Sequence, residues 1–289
     1  MTRELRGMVE RGVILAAGRG TRLHPVTKTQ PKEMVPVGRK PAIEYIVEEL
    51  AQAGIADILI VTGKQKSSLE AYFDDGVPPK YDSSVNGARI YFVRQPQPLG
   101  TGDAVKRAVG WTNDKPFVVA MGDCIIWSSS RDNITQELIE VHERYNAAAT
   151  IAVELVSKQE TNKYGIVSVK GHGRIARLTG IVEKPPPEKA PSRLAIAGRY
   201  VFDPIIYDAL NEVEVCNEGE LGITDAIAVL VNKGFPVYCV RLKRGQVRMD
   251  VGNFEGYFKA FIWAAINDKE HGGLIATFIR RILNSTRQV

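Results

Sequence analysis

The chain has 289 residues, 44% of them hydrophobic and 25% charged, with a formal net charge of +5. This is the length and composition of a globular protein with one large α/β domain or two small ones. The excess of cations suits anionic substrates, but there is neither a dense Lys/Arg block nor the interleaved aromatic and basic residues of a nucleic-acid binder, and no apolar run reaches the ~18 residues of a membrane span.

Cys124, Cys216 and Cys239 lie far apart and form no Cys-x-x-Cys pair, which argues against a disulfide or zinc scaffold and for a reducing compartment. Residues 1–11 are charged without an apolar centre, unlike a signal peptide. The cytoplasm is therefore the expected location.

In chain order, residues 13–16 read as a strand. Pro41 opens a helix with Ile43, Ile46, Val47 and Leu50 on one face, and Gly54 stops it. A strand at 58–61, a short helix at 67–73, a strand at 90–93, a helix at 101–109 and a strand at 117–121 follow. This alternation predicts an α/β fold: a Rossmann-like, mostly parallel mixed sheet flanked by helices. Ligands should then lie beyond the carboxyl ends of the strands, where Gly18, Gln95 and Asp123 fall.

After about Thr150, strand candidates crowd together at 151–156, 166–169, 176–182 and 195–201, with Pro185-Pro186-Pro187 as a stiff loop that cannot lie mid-strand. A helix at 224–232 and a strand at 237–240 come next, then two tail helices. Phe254, Tyr257, Phe258, Phe261 and Ala265 form one apolar stripe; Leu274, Phe278 and Ile282 form another after Gly272-Gly273. Both stripes are expected to pack on the body. The basic group Arg280-Arg281 with Arg287 reads as a solvated tail. The whole chain, 1–289, is expected to be a single domain, with a nucleotide-binding part at 11–150, a second subregion on the same sheet at 151–250, and C-terminal helices at 251–289.

The most informative segment is the loop after the first strand. Gly18 and Gly20 let backbone N–H groups approach an anion, and Arg22, Lys28 and Lys32 follow as cations. It is not a Walker loop, which needs Gly-Lys-Ser/Thr, nor a dinucleotide fingerprint, since Leu23 stands at the third glycine position.

The full run from Leu15 to Pro36 resembles the signature of the sugar-nucleotide pyrophosphorylases, and Pro31-Lys32-Glu33-Met34-Val35-Pro36 is nearest to the form of the bacterial UTP–glucose-1-phosphate uridylyltransferases. The resemblance extends from about Arg11 to Phe261. It implies transfer of UMP from UTP to glucose 1-phosphate, with Mg²⁺ as cofactor, UTP and a sugar 1-phosphate as partners, and a homo-oligomer, dimer or tetramer. Carried over position by position, it implies that Arg22 grips the β- and γ-phosphates, that Lys32 stabilises charge at the α-phosphate, and that Asp123 and Asp250 hold the metal. The nucleotide would meet Ala16, Ala17, Gly18, Gly20, Thr21, Glu33, Gln95 and Gly100, with the Gln95 amide on the uracil edge. The sugar would meet Tyr164, Gly165, Glu183, Lys184 and Gly198, with Lys184 also on the sugar phosphate. Thr224 and Asp225 are expected to cap a helix, and His24, His142, His172 and His271 to be structural or surface residues.

Several positions depart from the family form. Gly222 stands where Gln is usual, Leu99-Gly100-Thr101-Gly102-Asp103 replaces a Leu-Gly-Leu-Gly-His form, and residues 74–88 are short. These leave open another hexose 1-phosphate or dTTP as substrate. A non-catalytic sugar-nucleotide-binding regulator is the alternative of a different class.

Overall fold

A computed structural model of the protein describes residues 8–64, 66–74, 87–213 and 219–286. Cys216, Arg287 and most of the 74–88 segment lie outside them. In chain order the elements are β1 (Arg11–Ala16), β2 (Pro36–Val37), β3 (Lys40–Pro41), α1 (Ala42–Gln52), β4 (Asp57–Thr62), α2 (Ser67–Asp74), β5 (Arg89–Arg94), α3 (Thr101–Lys106), α4 (Val109–Thr112), β6 (Phe117–Met121), β7 (Cys124–Ser128), α5 (Ile134–Arg144) and β8 (Ala149–Leu155). They continue as β9 (Gly165–Lys170), β10 (Ile175–Glu183), β11 (Leu194–Phe202), α6 (Ile205–Glu212), α7 (Ile223–Asn232), β12 (Val237–Arg241), β13 (Gln246–Asp250), α8 (Phe254–Ile266) and α9 (Gly272–Thr286). The helix expected at 101–109 is thus two short ones. Single helical turns at Thr21–Leu23, Val26–Lys28 and Lys32–Met34 shape the loop after β1.

Nine strands form one mixed sheet in the order β5-β4-β1-β6-β11-β8-β12-β10-β9. The parallel run expected from the βα alternation covers β5, β4, β1 and β6. Beyond it, β11 is antiparallel to both β6 and β8, and β10 to both β12 and β9, while β12 runs parallel to β8. The tight turn between β9 and β10 is a hairpin connection, too short for the crossover that a parallel pair needs.

Helices cover both faces, so the central strands read as continuous apolar runs. Alternation along β1 and β6 sends Val13, Leu15, Phe117 and Val119 into a core shared with α3, α6 and α7. Ile14, Ala16, Val118 and Ala120 go to the opposite core, with Ile43, Ile46, Val47 and Leu50 of α1 and Leu138 of α5. A third cluster joins Val37, Ile125, Met249 and Val251 to Ala260 and Ala264 of α8.

That cluster corrects the expectation for the tail. The body receives α8 through its alanines, because small residues allow close approach: a Cβ on Gly38 would lie 3.0 Å from that of Ala264. Tyr257 and Trp263 pack partly beside them. Most of the expected stripes stays outside, with Phe258 55%, Phe261 40%, Leu274 72% and Phe278 58% exposed, while Tyr257 is the stripe residue that packs partly on the body. No helix of the described residues is long and apolar enough to cross a membrane.

Candidate active site

Strand register sets the site. Ala16 pairs with Thr62, Thr62 with Arg94, and Leu15 with Met121. The carboxyl ends of β5, β4, β1 and β6 are therefore level, and the residues just beyond them, Gln95, Gly63, Ala17 and Gly122-Asp123, share one rim. The approach is close: a Cβ on Gly63 would lie 2.7 Å from the Ala17 carbonyl, and one on Gly122 would lie 2.8 Å from that of Leu15.

The two carboxylates meet through the hairpin of β7 and β13. Asp250 pairs with Cys124, and the Val251 amide donates to the Asp123 carbonyl at 2.8 Å, so the strand pairing passes through both acidic positions. Their side chains converge beside Gly252. A Cβ there would sit 2.6 Å from Asp123 Oδ2, 2.9 Å from Asp250 Oδ1 and 3.2 Å from Arg22 Nη2. Lys32 completes the group, its ammonium donating to Asp123 Oδ2.

Electrostatics follow from this crowding. Burial opposes the charge of Asp123, but the Lys32 ammonium and the Arg22 guanidinium hold its carboxyl below the usual range. Burial and the neighbouring Asp123 push Asp250 up instead. Burial also opposes the charge of Lys32, yet Asp123, Glu33 and Asp250 hold its pKa above the ordinary lysine value. Two carboxylates over a glycine with no Cβ suit a small divalent cation that shares its shell with substrate phosphates and water. No group of three or more His, Cys, Asp or Glu residues with metal-ligand placement occurs among the described residues.

The loop residues Gly18, Gly20 and Thr21 lie beside these cations. A Cβ on Gly18 would be 3.2 Å from Lys32 Nζ, and Gly20 has φ of 69°, a left-handed conformation that favours glycine. Glu33 is different. It is fully buried beneath the loop, with Oε2 2.7 Å from Lys66 Nζ, so it supports the rim and does not line it. Lys66 also donates to the Ala16 carbonyl at the end of β1.

On the far side of the rim, Gln95 follows β5. Its amide nitrogen donates to the Gly100 carbonyl at 3.1 Å and to Asp103 Oδ2 at 2.7 Å. The sequence departures come together here. Ile223 N donates to Thr101 Oγ1, Gly102 N to the Leu221 carbonyl, and Leu221 N to the Leu99 carbonyl. A side chain at Gly222 would run into Asp225, whose Oδ2 lies 2.5 Å from the position of a Cβ.

The expected sugar residues also cluster. Glu183 Oε2 accepts from the Thr224 hydroxyl at 2.7 Å and would lie 3.2 Å from a Cβ on Gly165. Lys184 N donates to the Tyr164 carbonyl at 3.0 Å, and Lys184 Nζ lies 3.5 Å from Glu183. Thr224 and Asp225 thus do not cap their helix: they sit inside its first turn, and Gly222 is the N-cap. Gly198, with φ of 74°, lies against the turn between β6 and β7 that carries Asp123: a Cβ on it would lie 3.2 Å from Cys124 Sγ and from Met121 Cγ.

Sequence reasoning missed two supports. Arg248 stacks its guanidinium over the Tyr164 ring at 4.3 Å and pairs with Glu154, joining β13 to the sugar cluster. Arg199, fully buried, binds Glu49 Oε2 at 2.8 Å and donates to the carbonyls of Cys124 and Gly198. It clamps the strands that carry Asp123 and Gly198. The only signal in the sequence was an arginine inside an otherwise apolar strand, as expected of a charge that must be paired. His142 is buried beside Thr150, while His24, His172 and His271 are exposed, as expected of structural and surface residues.

Comparison with known proteins is consistent with this geometry. A family model described as nucleotidyl transferase matches residues 11–265. A UTP–glucose-1-phosphate uridylyltransferase of Bacillus subtilis is 39% identical over 271 residues, 89% of each chain. A UTP-bound UGPase from Acinetobacter baumannii superposes with a TM-score of 0.85 at 34% identity, over 94% of this chain and 99% of that one. A UDP-glucose pyrophosphorylase complexed with UDP-glucose superposes with a TM-score of 0.82 at 33% identity, over 88% and 97%. The chain therefore belongs to the nucleotidyl transferase family, as an enzyme of its UTP–glucose-1-phosphate uridylyltransferase branch.

Proposed function

We propose that the enzyme transfers UMP from UTP to glucose 1-phosphate, giving UDP-glucose and pyrophosphate. The observation that carries this reading is the convergence of Arg22, Lys32, Asp123 and Asp250 around Gly252. A phosphate oxygen of the sugar forms a bond to the α-phosphorus, and the bond from that phosphorus to the bridging oxygen breaks, releasing pyrophosphate. The obstacle is electrostatic, since each pair of like charges ~4 Å apart costs about 4 kcal/mol at an effective dielectric of 20. The nucleophile is already ionised, so the site needs fixed cations more than a general base.

Arg22 offers a planar fork to the β- and γ-phosphates. Lys32, held charged by its carboxylate neighbours, faces the α-phosphate. Glu183 accepts from sugar hydroxyls, and Lys184 reaches the sugar phosphate from the end of β10. Ala16, Ala17, Gly18 and Gly100 offer backbone groups, and Gln95 its amide, to the uracil. Asp123 and Asp250 would hold Mg²⁺, which when bound neutralises phosphate charge and supports the leaving group. A silent regulator would have no use for four charged side chains gathered in this way.

The two buried free thiols, Cys124 and Cys239, support the cytoplasm as the location. One continuous sheet with strands from both 11–150 and 151–250 supports a single domain. The exposed stripes of α8 and α9 support a homo-oligomer, dimer or tetramer, because contiguous apolar patches mark interaction surfaces.

Phosphorus NMR of the protein with UTP, glucose 1-phosphate and Mg²⁺ tests the reaction. UDP-glucose and pyrophosphate should appear in equal amounts and stop on chelation. Release of inorganic phosphate instead, or turnover that survives chelation, would overturn it.

A further inference from the structure

We propose that Asp103 is a specificity-determining residue that fixes the Gln95 amide with its oxygen toward the nucleobase. The inference rests on the reading of Gln95 as the base contact. Gln95 is 3% exposed, and its amide nitrogen has two acceptors, Gly100 O at 3.1 Å and Asp103 Oδ2 at 2.7 Å. An amide NH₂ has two protons to donate, so both are used. Its carbonyl oxygen has no hydrogen-bond partner among the described residues.

The orientation is determined by chemistry. Turning the amide over would set its oxygen against a carbonyl and a carboxylate, two acceptors that offer it no proton. Arg107, one turn on, donates to Asp103 Oδ1 at 2.7 Å and to Oδ2 at 3.3 Å, and so holds the carboxylate in place from outside. The Gly100 carbonyl is fixed as well, since it accepts the amide of Ala104 and its residue has φ of 95°.

The pocket therefore presents an acceptor. Uracil and thymine offer a ring N3–H to it. Neutral cytosine and adenine offer a ring nitrogen lone pair at the corresponding edge, which the oxygen repels. Discrimination of this kind, where a buried polar group is left unpaired, can reach ~10⁴-fold. With Asp103 gone, the charged one of the two acceptors is lost, and only the Gly100 carbonyl still opposes turning the amide over to donate to cytosine.

The test is kcat/KM for UTP, dTTP and CTP with the parent enzyme, D103A, D103N and Q95A. In D103A the preference for UTP over CTP should fall by about tenfold or more. In D103N it should stay within about threefold of the parent, because the asparagine oxygen accepts the same proton. The ratio of dTTP to UTP should not move in either, since both bases present the same edge. Where D103A fails to fold, D103S serves, its hydroxyl being too short to reach the amide. An unchanged UTP-to-CTP preference in D103A, with Q95A having lost it, overturns the role of Asp103 alone. An unchanged preference in Q95A overturns the base-contact reading itself. An equal fall in D103N and D103A overturns orientation in favour of bulk charge.

Discussion

Gly252→Ala separates the site from the fold. The added methyl enters the space between the two carboxylates and the guanidinium, 2.6 Å from Asp123 Oδ2 and 2.9 Å from Asp250 Oδ1, where ordinary contact begins at 3.4 Å. The oxygens must retreat by about 0.8 and 0.5 Å, the shortfall between those distances and ordinary contact. Displacements of ~1 Å in a positioned site cost on the order of 10²-fold in rate, or about 2.7 kcal/mol. Stability should hardly change. Gly252 is not among the glycines with positive φ, so the backbone accepts alanine, and only the ends of the neighbouring side chains must move. The assay is coupled pyrophosphate release across a Mg²⁺ titration, beside thermal melting. A variant that melts with the parent but turns over about 10²-fold more slowly is expected. Turnover within threefold of the parent at every Mg²⁺ concentration would refute the reasoning.

Lys32→Ala and Asp123→Asn should each lower kcat by ~10³-fold or more with an unchanged circular dichroism spectrum, since the first removes fixed positive charge from the reacting phosphates and the second a carboxylate that would hold the metal. Near-normal turnover in either would remove the role given to that residue. Arg199→Met leaves Glu49 half-buried without its guanidinium, and should cost about 3–5 kcal/mol by urea unfolding, whereas Glu49→Leu with Arg199→Met should recover most of it. A loss under 1 kcal/mol in the single variant would contradict the clamp. Leu274→Glu with Phe278→Glu should shift sedimentation toward the monomer without altering the monomer's melting curve, because both side chains lie mostly in solvent within one chain. An unchanged sedimentation coefficient would place the subunit interface elsewhere.

Local pattern carried part of this structure. The apolar run before Gly18 and the offsets of Ile43, Ile46, Val47 and Leu50 are short-range signals, and β1 and α1 form where they predict. Strand ends and loop glycines then put Gln95 and Asp123 on the rim. The meeting of Asp123 with Asp250 was legible only through resemblance, because it depends on β7 pairing with β13 across a long stretch of chain. Buried charge was not legible: Glu33 reads as a nucleotide contact and nothing in the sequence marks Lys66 as its partner, and only the folded chain shows them paired under the loop. The same holds for the tail, where apolar periodicity marks the aromatic stripe but not the alanine face that the body accepts. Thr224 sat correctly at a helix start, yet its hydroxyl serves Glu183.

The most direct test of the central claim is pyrophosphate release in a grid of four nucleoside triphosphates against glucose, galactose, N-acetylglucosamine and mannose 1-phosphates, all with Mg²⁺. A dominant signal for UTP with glucose 1-phosphate is expected. A dominant signal in any other cell would contradict the assigned substrates while keeping the chemistry, and no signal in any cell would contradict the chemistry itself.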